Sequence, residues 1–277
     1  MGSPISRTWI FATMIIKNEW NQLGTGFLVY RPINEKQGKV FLVTNKHVIN
    51  KKKELREKAS AISLFFNIKE ENGSIAGKGI ELRLSFENGK KRWIEHPERD
   101  VDVLCIDITD LIVKYPQMEK KWATYSDFGI KDKLQELEVT IGDDIMVIGY
   151  PMGLKHRTTN HPLVRSGIIA TKIGDSLEDE IKEENGEIRK RILRGFLIDG
   201  ATIPGSSGSP VVLKPVPARF TRKGITMGSL PAILLGILSE TRYAPIQVGK
   251  NVIPSFAGLG LAFDAETIKE TIELFFS

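Results

Sequence analysis

The sequence has 277 residues, of which 41% are hydrophobic and 26% charged; this is ordinary globular composition, it excludes a disordered chain, and the length suits one large domain or two small ones. Lys and Arg number 39 against 34 Asp and Glu, a net charge of +5, and no basic stretch is interleaved with aromatics, so nucleic acid is not an expected partner. A single cysteine, Cys105, excludes an internal disulfide, and no apolar run reaches the roughly 20 residues of a membrane span.

In chain order, residues 9–16 form the first apolar run. It follows Arg7 as the core of a signal peptide would, but it ends in Lys17-Asn18-Glu19 without a small-residue cleavage site. A core strand and a cytoplasmic chain are therefore expected. Residues 26–30, 40–44, 61–66 and 101–108 are short apolar runs of strand character. Between them, residues 51–58 mix both charges and read as a solvated helical face. Residues 109–136 are polar, carry Tyr115-Pro116 and lack a period of two, which predicts a partly helical connector. Strand-like runs resume at 144–148, 167–170, 195–198, 210–213 and 232–238. Segment 175–187 holds seven acids and Asn185-Gly186, and segment 214–223 carries Arg219, Arg222 and Lys223; both read as exposed loops, the first with a hairpin alternative. Ile268, Ile272 and Phe275 share a helical face behind a candidate N-cap, Asp264. So many short strands predict an all-β chain of barrel or sandwich type. Its expected divisions are a first unit over 1–112, a connector over 113–137, a second unit over 138–263 and a C-terminal helix over 264–277.

The chemistry concentrates in residues 199–210, Asp-Gly-Ala-Thr-Ile-Pro-Gly-Ser-Ser-Gly-Ser-Pro. A serine between glycines, just before a strand, can stand on a sharp turn with its hydroxyl exposed. Glycine also permits backbone conformations that aim two N–H groups at one point, where they can stabilise an oxyanion. A serine hydroxyl needs a base to take its proton. Of His47, His96, His156 and His161, only His47 closes an apolar strand, at residues 41–49; the other three lie in polar stretches and read as surface residues. An acid that orients the imidazole is supplied by the strand at 100–108, which offers both Asp100 and Asp102.

Taken in order, Gly24-Thr25-Gly26-Phe27, residues 44–48, Asp102-Val103-Leu104-Cys105-Ile106 and residues 204–210 resemble the chymotrypsin-like serine proteases, whose His, Asp, Ser order they share. The likeness extends to the bacterial HtrA-type protease domain through residues 149–154, Ser166-Gly167-Ile168-Ile169 and Gly258-Leu259-Gly260-Leu261-Ala262. The resemblance is to the protease domain without its PDZ domain, and it implies two Greek-key six-stranded β-barrels with the active site between them. It implies Ser207 as nucleophile, His47 as general base, Asp102 as orienting acid, and the N–H groups of Gly205 and Ser207 as oxyanion hole. The pocket for the residue before the cut would have Ala201 at its base and Ile237, Leu238, Ser239, Gly260 and Leu261 in its wall. None of these is acidic, so a small or aliphatic residue is expected there, with Glu240 the one group close enough to change that.

Three departures qualify the likeness. Ser206 stands where digestive enzymes carry the aspartate that receives a new N-terminus, so that route of activation is not expected. Ser209 replaces a glycine, and Asn45-Lys46 replace small residues before the histidine. The expected activity is a serine endopeptidase acting on proteins or peptides, without metal or cofactor, and answering to a regulatory protein partner. The alternative is a silent pseudoprotease that binds peptides.

Overall fold

The structure is a computed structural model in which residues 4–50, 57–182, 186–200, 202–203, 205–222, 224–227, 232–248 and 251–277 are described. The chain starts with a helix, α1 (Pro4–Ala12), followed by β1 (Thr13–Asn18). The run at 9–16, expected as one core strand, is thus divided at Thr13. Proline suits the first helical position because no intrahelical acceptor is lost there. Trp9 fixes the helix: its indole N–H donates to the Ala232 carbonyl at 2.9 Å and its ring meets Phe27 edge-on. Only from Thr13 does the β-branched character of Ile15 and Ile16 favour an extended chain.

The first half continues with β2 (Leu23–Pro32), β3 (Gly38–Thr44), β4 (Ala61–Lys69), β5 (Ile75–Arg83), β6 (Trp93–Glu95), β7 (Leu104–Asp107) and, from the connector, β8 (Met118–Glu119). These strands form one antiparallel sheet in the order β5-β4-β1-β2-β3-β7-β6, with β8 paired to β4. Its end strands approach each other through a tight turn in which Ser85 bridges Lys91 and the Arg92 N–H donates to the Leu84 carbonyl at 3.0 Å. The half therefore holds eight strands, where six are expected. The short β6 and the two-residue β8 make the difference. Residues 51–56 of the charged stretch lie outside the described residues.

The connector is partly helical, with α2 (Thr109–Lys114) and α3 (Lys131–Glu136). It is strapped to both halves: the Ala123 N–H donates to the Leu28 carbonyl at 2.9 Å and the Gly129 N–H to the Leu234 carbonyl at 2.7 Å. The second half contains β9 (Asp144–Gly149), β10 (Leu163–Ile169), β11 (Leu177–Lys182), β12 (Ile188–Leu193), β13 (Gly195–Asp199), β14 (Pro210–Leu213), β15 (Ala218–Thr221), β16 (Gly224–Met227), β17 (Leu234–Val248) and β18 (Asn251–Asp264). Six of them close a barrel, β10-β13-β18-β17-β14-β9; β11 with β12 and β15 with β16 are separate two-stranded hairpins. Segment 214–223, expected as a solvated loop, thus contributes a strand, held to the segment between α3 and β9 by Arg219 on the Glu138 carbonyl at 3.1 Å.

The chain ends in α4 (Ala265–Glu273), which returns to the first half: the Phe275 ring lies tilted against that of Phe41 at 4.7 Å and Arg31 pairs with Glu273 at 3.0 Å. Asp264 holds the N-cap position, but its side chain makes no capping bond. Among the described residues no helix is long and apolar enough to cross a membrane.

Three apolar clusters explain why so many strands read as unbroken hydrophobic runs. Leu28, Leu42, Leu104 and Ile106 fill the first half. Ile145, Val147, Val211 and Leu213 fill the second barrel. Alternate residues of the same strands, Phe27, Val29, Phe41, Val43, Cys105, Met146, Ile148 and Val212, turn outward into a shared layer between the halves, completed by Trp9, Ile268 and Ile272. Strands buried on both faces carry no polar alternation. The shared layer also sets the loops of one half against those of the other.

Candidate active site

His47 stands just beyond β3, in a single 3-10 turn over Lys46–Ile49, rather than on the strand itself. The strand stops at Thr44, whose hydroxyl donates to the Thr25 carbonyl at 2.8 Å. Asn45 then donates to the Asp102 carbonyl at 2.7 Å, so this larger residue braces the acid-bearing loop. Lys46 is turned aside onto the Glu98 carbonyl at 2.9 Å, and burial lowers its pKa.

Asp102 lies between two buried valines, Val101 and Val103, that anchor its loop in the shared layer. Its Oδ2 is 2.6 Å from His47 Nδ1 and accepts the Ser239 hydroxyl at 2.6 Å, while Oδ1 accepts the His47 main-chain N–H at 3.2 Å. Burial opposes ionisation of this carboxyl, but the His47 charge and the hydrogen bonds from His47 and Ser239 outweigh it and hold its pKa well below the usual carboxylate range. Asp100 faces elsewhere: both its oxygens receive the Arg189 guanidinium, at 2.6 and 2.8 Å, and these bonds lower its pKa.

Ser207 sits on the turn between β13 and β14. Gly205 and Gly208 flank it with φ of +89° and +87°, the left-handed region that side chains disfavour. A Cβ on Gly205 would lie 2.6 Å from the Tyr150 carbonyl oxygen, and one on Gly208 1.8 Å from that of Thr25. Thr25 clasps the turn: its N–H donates to the Ser207 carbonyl at 2.8 Å and its hydroxyl to the Gly205 carbonyl at 3.0 Å. Ser206 and Gly208 donate their N–H groups inward, to Ile203 and Leu238. Among the described residues the main-chain N–H groups of Gly205 and Ser207 meet no acceptor, unlike those of Ser206 and Gly208.

The Ser207 hydroxyl donates to the Ser239 carbonyl at 3.0 Å and makes no hydrogen bond to His47 among the described residues. Ser239 therefore joins the parts, with its hydroxyl on Asp102 and its carbonyl on Ser207. Sequence reasoning placed Ser239 only in a pocket wall; this bridging arrangement depends on a long-range approach of β17 that carries no local signature.

The remaining expected positions divide. Ala201 lies outside the described residues. Ile237 and Leu261 are wholly buried in the shared layer and Leu238 in the barrel interior, so they offer a cleft main chain rather than side chains. Gly260 packs against Thr202 and Leu238, where a Cβ would lie 2.5 and 2.9 Å from their side-chain carbons. Glu240 is held by Arg191 at 2.9 Å. His96 is buried at 2% exposure instead of lying on the surface. Its Nε2 meets Glu270 of α4 at 3.0 Å and its Nδ1 accepts the Glu98 N–H at 3.2 Å, so a polar-looking stretch is covered by the returning helix. Ser206 receives Arg165 Nη2 at 2.8 Å in place of an aspartate partnership. Ser209 is accommodated because it faces Gly149, whose missing Cβ would fall 1.9 Å from the serine hydroxyl. Among the described residues no group of three or more His, Cys, Asp or Glu side chains could hold a metal ion.

Residues 24–214 match the family of the trypsin-like peptidase domain. Among solved structures, the chain is similar to the Rv3671c protease of M. tuberculosis. To the active form it has 13% identity and a TM-score of 0.50, covering 97% of this chain and 82% of that one. To an inactive form it has 14% identity and a TM-score of 0.51, covering 99% and 93%. At such identities the likeness is one of fold. No curated protein matches the sequence.

Proposed function

As this chain belongs to the trypsin-like peptidase family, we propose that it is a serine endopeptidase whose nucleophile is Ser207, whose general base is His47 and whose orienting acid is Asp102. The observation that carries the reading is the convergence on Ser239: Asp102 and Ser207 both bond to it, and Asp102 in turn holds His47. Asp102 fixes the tautomer in which Nδ1 carries the proton, leaving Nε2 to accept the proton of Ser207. The Ser207 oxygen attacks the scissile carbonyl carbon. The resulting oxyanion accepts from the main-chain N–H groups of Gly205 and Ser207. His47 then gives its proton to the leaving amine, and a water, deprotonated by the same base, releases the acyl group.

The substrate reaches this point as an added strand. Main-chain bonding on this edge of β17 runs to Leu238, which exchanges bonds with Gly208 and Ser209, and among the described residues no strand pairs the same edge from Ser239 to Thr241, where an extended peptide would add. The Ser207 hydroxyl must leave the Ser239 carbonyl for His47, a tightening common when a substrate-free site takes its ligand. That same contact is what favours the second reading, a silent peptide-binding module. A fluorophosphonate probe separates the two: covalent labelling of the folded chain at Ser207, absent in Ser207→Ala, supports the peptidase, and an unlabelled folded chain supports the module.

A further inference from the structure

The hairpin of β11 and β12 belongs to neither large sheet. Two-stranded hairpins are marginally stable alone, so contacts with the rest of the molecule must hold it. One face points outward, with Ile188, Lys190 and Ile192 exposed; the other carries Arg189, Arg191 and Leu193 inward, opposite Ile181, Asp179 and Leu177. At its base Leu177 and Leu193 join the shared apolar layer. Above them the inward face is ionic. Arg189 forks onto Asp100, two residues before Asp102, at 2.6 and 2.8 Å. Arg191 reaches Asp179 across the hairpin at 2.7 Å and Glu240, the residue after Ser239, at 2.9 Å. Arg242 completes the set on Asp179 at 2.8 Å.

Among the described residues three cations thus meet three carboxylates, one from the first half, one from the hairpin and one from β17. Arg191 and Glu240 are only 7% and 11% exposed, which limits screening by salt. Forked arginine–carboxylate pairs also fix direction as well as distance. The two groups that must stay in register across the cleft are the carboxylate of Asp102 and the hydroxyl and carbonyl of Ser239, and each pair lands within two residues of one of them.

We propose that this hairpin is an ionic clamp that holds the Asp102 loop of the first half against the Ser239 segment of β17, with Arg189 and Arg191 as positioning residues. The proposal rests on the peptidase reading for its effect on rate, but not for its effect on structure. Reversing one charge, Arg189→Asp, sets two carboxylates face to face and should lower kcat at least tenfold with KM within threefold. The double variant Asp100→Arg with Arg189→Asp restores the pair in the opposite sense and should return kcat to within threefold of wild type. Arg189→Gln should fall between. Amide hydrogen exchange on the same full-length proteins should quicken in residues 97–103 and 239–243 of Arg189→Asp, beyond the hairpin itself, and slow again in the double variant.

If Arg189→Asp does not fold, Arg189→Gln and the double variant carry the comparison. Hydrolysis within twofold of wild type for Arg189→Gln and any folded reversal, or exchange altered only within residues 177–193, overturns the clamp. Fluorophosphonate labelling of the wild type tests the peptidase reading separately. If the wild type is inert, that reading falls and the exchange data alone decide the clamp.

Discussion

Replacing Asp102 by asparagine isolates the proton bookkeeping of the site while leaving its shape. In the native site Oδ1 accepts one N–H and Oδ2 accepts both the imidazole Nδ1–H and the Ser239 hydroxyl. An asparagine can offer its oxygen at only one of these places. With oxygen at the Oδ2 position, its NH2 group faces the His47 main-chain N–H, donor against donor. With oxygen at the Oδ1 position that N–H is satisfied, and the NH2 group donates to Nδ1 and to the Ser239 hydroxyl, which can accept. The second arrangement avoids the donor–donor clash, so it prevails. It also forces the imidazole proton onto Nε2, the atom that receives the proton of Ser207 in the proposed mechanism. Loss of the correct tautomer in such a triad costs roughly 10⁴ in kcat, about 5 kcal/mol of barrier. Asp100→Asn keeps an oxygen for Arg189 and leaves His47 untouched, so its loss should stay near tenfold. Hydrolysis of a fluorogenic peptide by both variants, with folding checked by circular dichroism, measures the contrast. Greater damage from Asp100→Asn, or a loss below tenfold for Asp102→Asn, would refute the reasoning.

Ser207→Ala should abolish hydrolysis with the fold retained, since a lost nucleophile costs several orders of magnitude; comparable turnover by that variant, with Ser206 and Ser209 in place, would remove Ser207 from the mechanism. A peptide library should be cut after small or aliphatic residues, because Glu240 is committed to Arg191 and Arg242 and a buried lysine or arginine would lack a partner; dominant cleavage after Arg or Lys would shift attention to Asp199, which lies against Gly258. Gly208→Ala should destabilise the chain by more than about 2 kcal/mol, as strain at positive φ adds to the overlap with the Thr25 carbonyl; an unchanged Tm would contradict the described turn. Among the described residues the enclosed Oδ1 of Asp264 has no hydrogen-bond partner, and burial raises the pKa of this acid from 3.8 to about 7. The folded state therefore prefers the protonated acid, so stability is lost as pH rises from about 4 through 7 and is flat above. Asp264→Asn should be more stable than wild type at pH 8, by at most about 4 kcal/mol, with the gap closing toward pH 4; a gap that is independent of pH would show that Asp264 does not titrate there.

Local chemistry made much of this protein legible from its residues alone. The glycine-flanked Ser207, the histidine after an apolar run and the acid heading another each follow from short-range requirements: a left-handed turn, a rigid support, a carboxylate next to buried valines. The strand runs of both halves and the C-terminal helix were readable for the same reason, since periodicity and turn residues act over a few positions. Reading failed where a distant surface decides. Residues 9–16 are apolar enough for a strand, yet Trp9 is held helical by Ala232 and Phe27, contacts made only once the halves meet. His96 resembles a surface residue until α4 returns to cover it. Asp100 and Asp102 share strand parity, so alternation cannot separate them; only the approach of β12, which brings Arg189 to Asp100, assigns each acid its own partner. Ser239 and the ion pairs of the β11–β12 hairpin carry no local mark at all. Their roles arise from which strands the shared apolar layer sets side by side, a packing result to which no short window of sequence is coupled.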